Sequence, residues 1–130
     1  MEKILIDTSA WIEYFRGKEF TLCDQILGLI LEDRITNCGL VEFELLHGAR
    51  KDELPLLDQQ LKKLNYSEMT RQDFRKAAEL SKLMKSRGKS LKFIDLAIAA
   101  FCIERDLILL TLDRDFKEIP GLKRLTPNLI

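Results

Sequence analysis

Short apolar runs alternate along this chain with longer stretches of helical periodicity, and few folds accommodate that alternation. Lys3-Ile4-Leu5-Ile6 and Leu107-Ile108-Leu109-Leu110 have the continuous apolar character of strands buried on both faces. Ile35 to Cys38 reads as a weaker strand, Leu64 to Tyr66 as a short edge strand, and Leu122 to Leu125 as a last one. Helices are expected over 10–15, 21–31, 39–46, 53–63 and 70–86, with another starting at Ser90 and running to Ile103. Asp7-Thr8-Ser9 and Thr70 supply residues of N-cap type, while Gly17 and Gly88 supply stops. Strands alternating with helices imply an α/β fold, its parallel sheet covered on both faces.

The 130 residues fit a single domain spanning 1–130, and a 46% hydrophobic content suffices for one core. No stretch approaches the roughly 18 apolar residues that span a bilayer. The opening apolar run meets a charge too soon for a signal peptide, so no membrane association and a cytoplasmic location are expected. Cys23, Cys38 and Cys102 are odd in number and lack metal-ligand spacing, which makes them small buried hydrophobes. One histidine, His47, excludes two-histidine catalysis within a chain, and no Gly-x-Ser-x-Gly turn exists to place a nucleophilic serine. His47 itself reads as a helix-surface or packing residue. With 21 basic and 21 acidic residues the net charge is zero, which disfavours tight non-specific nucleic-acid binding and leaves room only for a local basic patch.

The acidic residues are more informative. The first strong strand runs into Asp7 and the later one, after Thr111-Leu112, into Asp113. Ligands of open parallel sheets bind beyond the carboxyl ends of the strands, so both aspartates are at the expected edge. Asp95 lies in the first turns of a helix among Ile94, Leu96, Ala97, Ile98 and Ala99. A carboxylate there needs a cation, a salt bridge to Lys92 or its own helix N-terminus as compensation. Glu42 and Glu44 lie about 200° apart on their helix and cannot face one site together; periodicity does not choose between them. Taken singly, Asp7 could be a cap and Asp113 and Asp115 turn residues. Several carboxylates can share a site only around a cation or with protons retained. Oxygen-only ligands favour a hard ion, magnesium or manganese, over zinc.

Four motifs in order resemble those of the PIN-domain nucleases, specifically the small VapC-type toxins of toxin–antitoxin pairs. The Ile4-Leu5-Ile6-Asp7-Thr8-Ser9-Ala10-Trp11-Ile12 opening is similar to the family's first acidic motif. Glu44-Leu45-Leu46-His47-Gly48-Ala49 looks like its Glu-Leu-x-x-Gly-Ala motif and selects Glu44 over Glu42. Lys92 to Ala100 resembles the third motif at Asp95, and Thr111-Leu112-Asp113-Arg114-Asp115-Phe116 the Thr-x-Asp-x-Asp-Phe ending, in which the first aspartate joins the cluster. The resemblance covers essentially the whole chain. It implies a three-layer α/β/α sandwich with a short, mainly parallel central sheet. It also implies a magnesium-dependent endoribonuclease leaving 5′-phosphate and 3′-hydroxyl ends, a homodimer, and a cognate VapB-type antitoxin that blocks the active site.

On this reading Asp7 and Asp95 hold Mg2+ (Mn2+ being an alternative), and Glu44 and Asp113 complete the cage through the ion or its waters. The role of Asp115 stays open. Lys82, Lys85, Arg87, Lys89 and Lys92 place five cations within eleven residues, without an acid among them. They are candidates for positioning RNA phosphates, or else cations favoured at a solvated helix end. Two other readings remain: a phospho-acceptor receiver domain, and a catalytically silent PIN-like protein that binds RNA or a partner.

Overall fold

Ile4, Leu5 and Ile6, the three residues of β1 (Ile4–Ile6), are all buried, which places this strand at the centre of the sheet. Burying each such side chain contributes about 1.5–3 kcal/mol. In the computed structural model, which describes residues 1–129, β1 pairs in parallel with β4 (Ile108–Leu110), and β4 with β5 (Lys123–Leu125). On the other side β2 (Thr36–Asn37) pairs in parallel with β3 (Asn65–Tyr66). A parallel bridge between Ile4 and Ile35 joins the two sets, giving the spatial order β3-β2-β1-β4-β5.

The connections are helical: α1 (Thr8–Arg16), α2 (Phe20–Leu31), α3 (Gly39–Gly48), α4 (Leu54–Leu61), α5 (Arg71–Ser86) and α6 (Phe93–Arg105). Parallel neighbours need such crossovers, and the helices cover a sheet whose central strands are apolar throughout. α1 packs on α2 and α3, and α5 on α6. Helix α6 has an unbroken buried run from Leu96 to Cys102, as its all-round apolar sequence requires. The expected mixed fold with a small parallel sheet is therefore what forms. Cys38 and Cys102 are buried and Cys23 half-buried, all as free thiols. No helix among the described residues is long and apolar enough to cross a membrane.

The largest difference from expectation lies at one helix boundary. Helix α6 starts at Phe93, not at Ser90. Gly88 (φ +78°) ends the turn after α5, and the Lys89 amide donates to the Met84 carbonyl at 2.9 Å. That hydrogen bond closes the helix end and leaves the following residues to run out of it. Leu91 then packs half-buried against the core and Lys92 adopts an extended conformation as N-cap. Asp95 is thereby the third residue of α6, in the turn where the helix dipole favours negative charge. A 3₁₀ helix, Arg114–Glu118, also forms after Asp113 where only a turn was expected.

Sequence periodicity gave no sign of the ion pair that clamps α5 to α6. Asp73, 1% exposed, receives two hydrogen bonds from the Arg105 guanidinium, at 2.7 and 2.8 Å. Arg105 also donates to Ser67 Oγ and to the Glu68 and Phe101 carbonyls, and lies over the Phe101 ring at 3.8 Å. Burial opposes the charge on Asp73. The Arg105 hydrogen bonds and the Thr70 amide outweigh that and hold its carboxyl below the ordinary value. The pair's contribution is therefore complete above roughly pH 4 and disappears as pH falls through the depressed pKa. Asp73→Ala should lower the unfolding free energy at neutral pH by about 3 kcal/mol, leaving the guanidinium without its partner. Denaturant melts check this; a loss below about 1 kcal/mol would remove the clamp from the account.

Candidate functional site

The order of strands dictates where a site can form. β2 and β3 extend to one side of β1 and β4 and β5 to the other, so the sheet divides between β1 and β4. Chain ends leaving these two neighbours splay apart and open a crevice. Asp7 follows β1 directly, and Thr111 and Asp113 follow β4.

Hydroxyl groups lace the two strand ends together. Thr111 Oγ1 donates to Asp7 Oδ2 at 2.8 Å and Ser9 Oγ donates to the same oxygen at 3.1 Å. The Leu112 amide donates to Ser9 Oγ and the Asp113 amide to Thr111 Oγ1, each at 3.0 Å. Asp7 occupies the N-cap position of α1, yet its side chain makes no capping hydrogen bond there. Its Oδ1 likewise has no hydrogen-bond partner among the described residues. The carboxylate is nearly buried (6% exposed) and oriented by neutral donors, without a salt bridge among the described residues. From the other flank, Thr8 Oγ1 donates to Glu44 Oε1 at 2.9 Å and so ties α3 to the start of α1. Glu42 faces elsewhere: burial first, then the charge of Asp58, raises its pKa.

Asp95, Asp113 and Asp115 each offer a carboxylate oxygen, and these oxygens all lie within 4.8 Å of one another. Asp113 caps the 3₁₀ helix, its Oδ1 accepting the Asp115 amide at 2.9 Å, and this turn carries Asp115 round to the cluster. Asp7 and Glu44 are not part of this tightest group among the described residues. Asp7 is nonetheless close enough to act on Asp95. Burial pushes the Asp95 carboxyl up to about 6, and the charges of Asp113, Asp7 and Asp115 push in the same direction, with Lys92 opposing them. Like charges so placed strain the metal-free state, and a hard cation relieves them without any change of ligand. The donor set fits a divalent ion with oxygen preference.

Of the residues that the motifs single out, Asp95 and Asp113 come together with Asp115, Asp7 acts on Asp95 from the adjacent strand end, and Glu44 is tied to Thr8 on α1. Thr8, Ser9 and Thr111 were missed as organisers. Thr8 and Ser9 have the composition of an ordinary cap, and only the threonine of the Thr-x-Asp motif hinted at Thr111. Of the basic candidates, Lys92 caps α6 beside Asp95, and Lys89 pairs with Glu118 of the 3₁₀ helix. Lys82, Lys85 and Arg87 are exposed on the end of α5 and its turn. His47 is exposed and stacks on Phe43, with ring centroids 5.6 Å apart.

A fold of this topology with acids at the β1–β4 division is that of PIN domains, and the PIN domain family model matches residues 4–122. The chain belongs to the PIN-domain family. Its relatives include the VapC ribonuclease Mb1587 of Mycobacterium bovis, 34% identical over 129 residues that cover 94% of this chain and 95% of the relative. Ribonuclease VapC11 of Mycobacterium tuberculosis matches with the same identity and coverage. Among solved structures, DNA-bound VapBC from Salmonella typhimurium superposes with a TM-score of 0.83 at 21% identity, covering 96% of this chain and 98% of that one. A toxin–antitoxin complex from Klebsiella pneumoniae gives 0.77 at 25% identity, covering 98% and 100%. Family membership sets aside the receiver-domain alternative.

In metal-free protein, carboxyl NMR should find Asp95 titrating near pH 6. Because the folded value is raised, this group's effect on stability is least unfavourable below the unfolded pKa and worsens as pH rises from about 4 through about 6. Asp113→Asn should lower the Asp95 value. Titration at the ordinary value of 3.8 would show that the acids do not converge.

Proposed function

We propose that this protein is a divalent-metal-dependent endoribonuclease, the toxin of a VapBC-type pair, acting as one PIN domain in the cytoplasm. The observation that carries the reading is the convergence of Asp95, Asp113 and Asp115 at the strand ends beside a hydroxyl-held Asp7. Kinship with proteins named VapC ribonucleases supplies the substrate class.

Asp95 and Asp113, with Asp7 and Asp115 at their sides, would hold Mg2+ or Mn2+. The chemistry supplied by such an ion is charge neutralisation at the phosphate and a lowered water pKa. Thr111 and Ser9 fix Asp7 so that its Oδ1 stays available, and this rigidity keeps the acids from turning away from one another. Glu44, held at Oε1 by Thr8, orients the attacking water and takes its proton at Oε2. The water oxygen forms a bond to phosphorus as the bond to the 3′-oxygen breaks; the leaving oxygen picks up a proton from solvent. A 5′-phosphate and a 3′-hydroxyl result. Lys92, whose charge acts on Asp95, and the exposed Lys82, Lys85 and Arg87 at the end of α5 would position RNA phosphates.

A VapB-type antitoxin is the proposed partner, since the solved structures similar to this chain include VapBC complexes. A groove of about 740 Å³, lined in part by Ile12, Phe15, Leu45 and Leu56, opens beside Glu44 and offers an apolar seat from which a bound segment covers the site. A homodimer remains the proposed assembly.

Asp95→Asn and Glu44→Gln should each reduce RNA cleavage by about 10²-fold or more at unchanged folding, and chelation should abolish it until Mg2+ or Mn2+ is restored. Wild-type cleavage by a folded Asp95→Asn protein, or full activity in chelator, would sink this assignment. RNA binding without any cleavage would favour the silent reading.

A further inference from the structure

Asp115 comes to the cluster on the 3₁₀ helix Arg114–Glu118, an element of five residues whose hydrogen bonds are poorer than those of an α-helix. Its start is held by Asp113 Oδ1, which accepts the Asp115 amide at 2.9 Å. That hold relies on a carboxylate that also belongs to the cluster. Phe116 within the turn and Ile119 just after it are buried, and α6 packs against it. Its last residue, Glu118, forms an ion pair with Lys89. Lys89 is itself fixed from behind. Its amide donates to the Met84 carbonyl at 2.9 Å and closes the end of α5, after Gly88 at φ +78°. From Lys89 the chain runs through the half-buried Leu91 into α6, whose third residue is Asp95. The pair therefore joins the lead-in to Asp95 with the turn that carries Asp115. Among the described residues neither side chain has another ionic partner.

We propose that Lys89 and Glu118 are positioning residues for the divalent-cation site: their ion pair braces the 3₁₀ turn against the lead-in to α6 and so sets how Asp115 stands to Asp95 and Asp113. The inference rests on the proposed cation site and deepens it, by adding a support whose two members touch neither ion nor substrate. It gives Lys89 a role other than phosphate contact, to which its place in the basic run of the sequence points. Exposure bounds the size of the effect. The two side chains are 42% and 55% exposed, so the pair shifts an equilibrium constant by no more than about fivefold. That is small for folding and readable in a binding constant. Sign separates a brace from bare charge. A cation is repelled by Lys89 and attracted by Glu118, so acting through their fields alone they would have opposite effects when neutralised. A brace fails whichever partner is lost.

The test titrates the full chain with Mn2+ and follows the paramagnetic resonance signal of the free ion, which needs neither RNA nor activity. The site read out is the one that Asp95→Asn abolishes. Lys89→Gln and Glu118→Gln should each weaken Mn2+ binding about threefold, with denaturant midpoints nearly unchanged. The charge-swapped protein, Lys89→Glu with Glu118→Lys, should bind Mn2+ more tightly than either single variant and close to the wild type. Tighter or unaltered Mn2+ binding in Lys89→Gln would overturn the proposal, since only a field or no coupling gives that result. A swapped protein as weak as the two single losses combined would overturn it too. Unaltered Mn2+ binding together with a flattened salt dependence of RNA binding in Lys89→Gln would return Lys89 to the phosphates and overturn the brace. Each of these failures leaves the cation site and the nuclease reading standing. A wild-type protein that takes up no Mn2+ would remove the site, and the brace with it.

Discussion

Mutual repulsion among the carboxylates at the end of the sheet is the constraint around which the molecule is arranged. Asp95, Asp113 and Asp115 are close enough for one cation to touch all three, and Asp7 adds its charge from the adjacent strand end. Nothing about folding rewards that crowding, since separated acids would be better solvated. The fold must hold them there. It does so with β1 and β4, whose buried side chains leave little freedom, and with hydroxyls that pin Asp7.

Supports for the cluster come from distant parts of the chain. Helix α6, which carries Asp95, is gripped at its far end by the Arg105–Asp73 pair and along its length by the core. The closing hydrogen bond after α5 fixes where α6 begins, and this sets Asp95 in the first helical turn. Thr8 ties Glu44 to the start of α1, so the position of α3 and that of Asp7 are coupled.

The strand ends were the legible part of the sequence, for a physical reason. Continuous apolar runs stop where the sheet stops, so Asp7 and Asp113 could be placed at its edge without knowing the pairing. Asp95 is legible because its apolar neighbours, Leu96 to Ala99, require burial. Asp115 was not assignable, since its approach depends on a 3₁₀ turn whose geometry short-range composition does not encode. Thr8, Ser9 and Thr111 were hidden because hydroxyls in a helix-start sequence ordinarily cap. The Asp73–Arg105 pair joins residues 32 positions apart and leaves no periodic trace. Ser90 has the composition of a helix start, but α6 begins at Phe93, after a half-buried Leu91 and an extended Lys92. The choice of Glu44 over Glu42 came from the family motif and not from periodicity, which treats the two alike.

Anomalous diffraction from crystals of the protein soaked in Mn2+ reads out whether these acids form one divalent-cation pocket. A manganese peak bonded to oxygens of Asp95 and Asp113, beside Asp7 and Asp115, is expected. A fully ordered cluster without a peak, or manganese bound only on another surface, would contradict it.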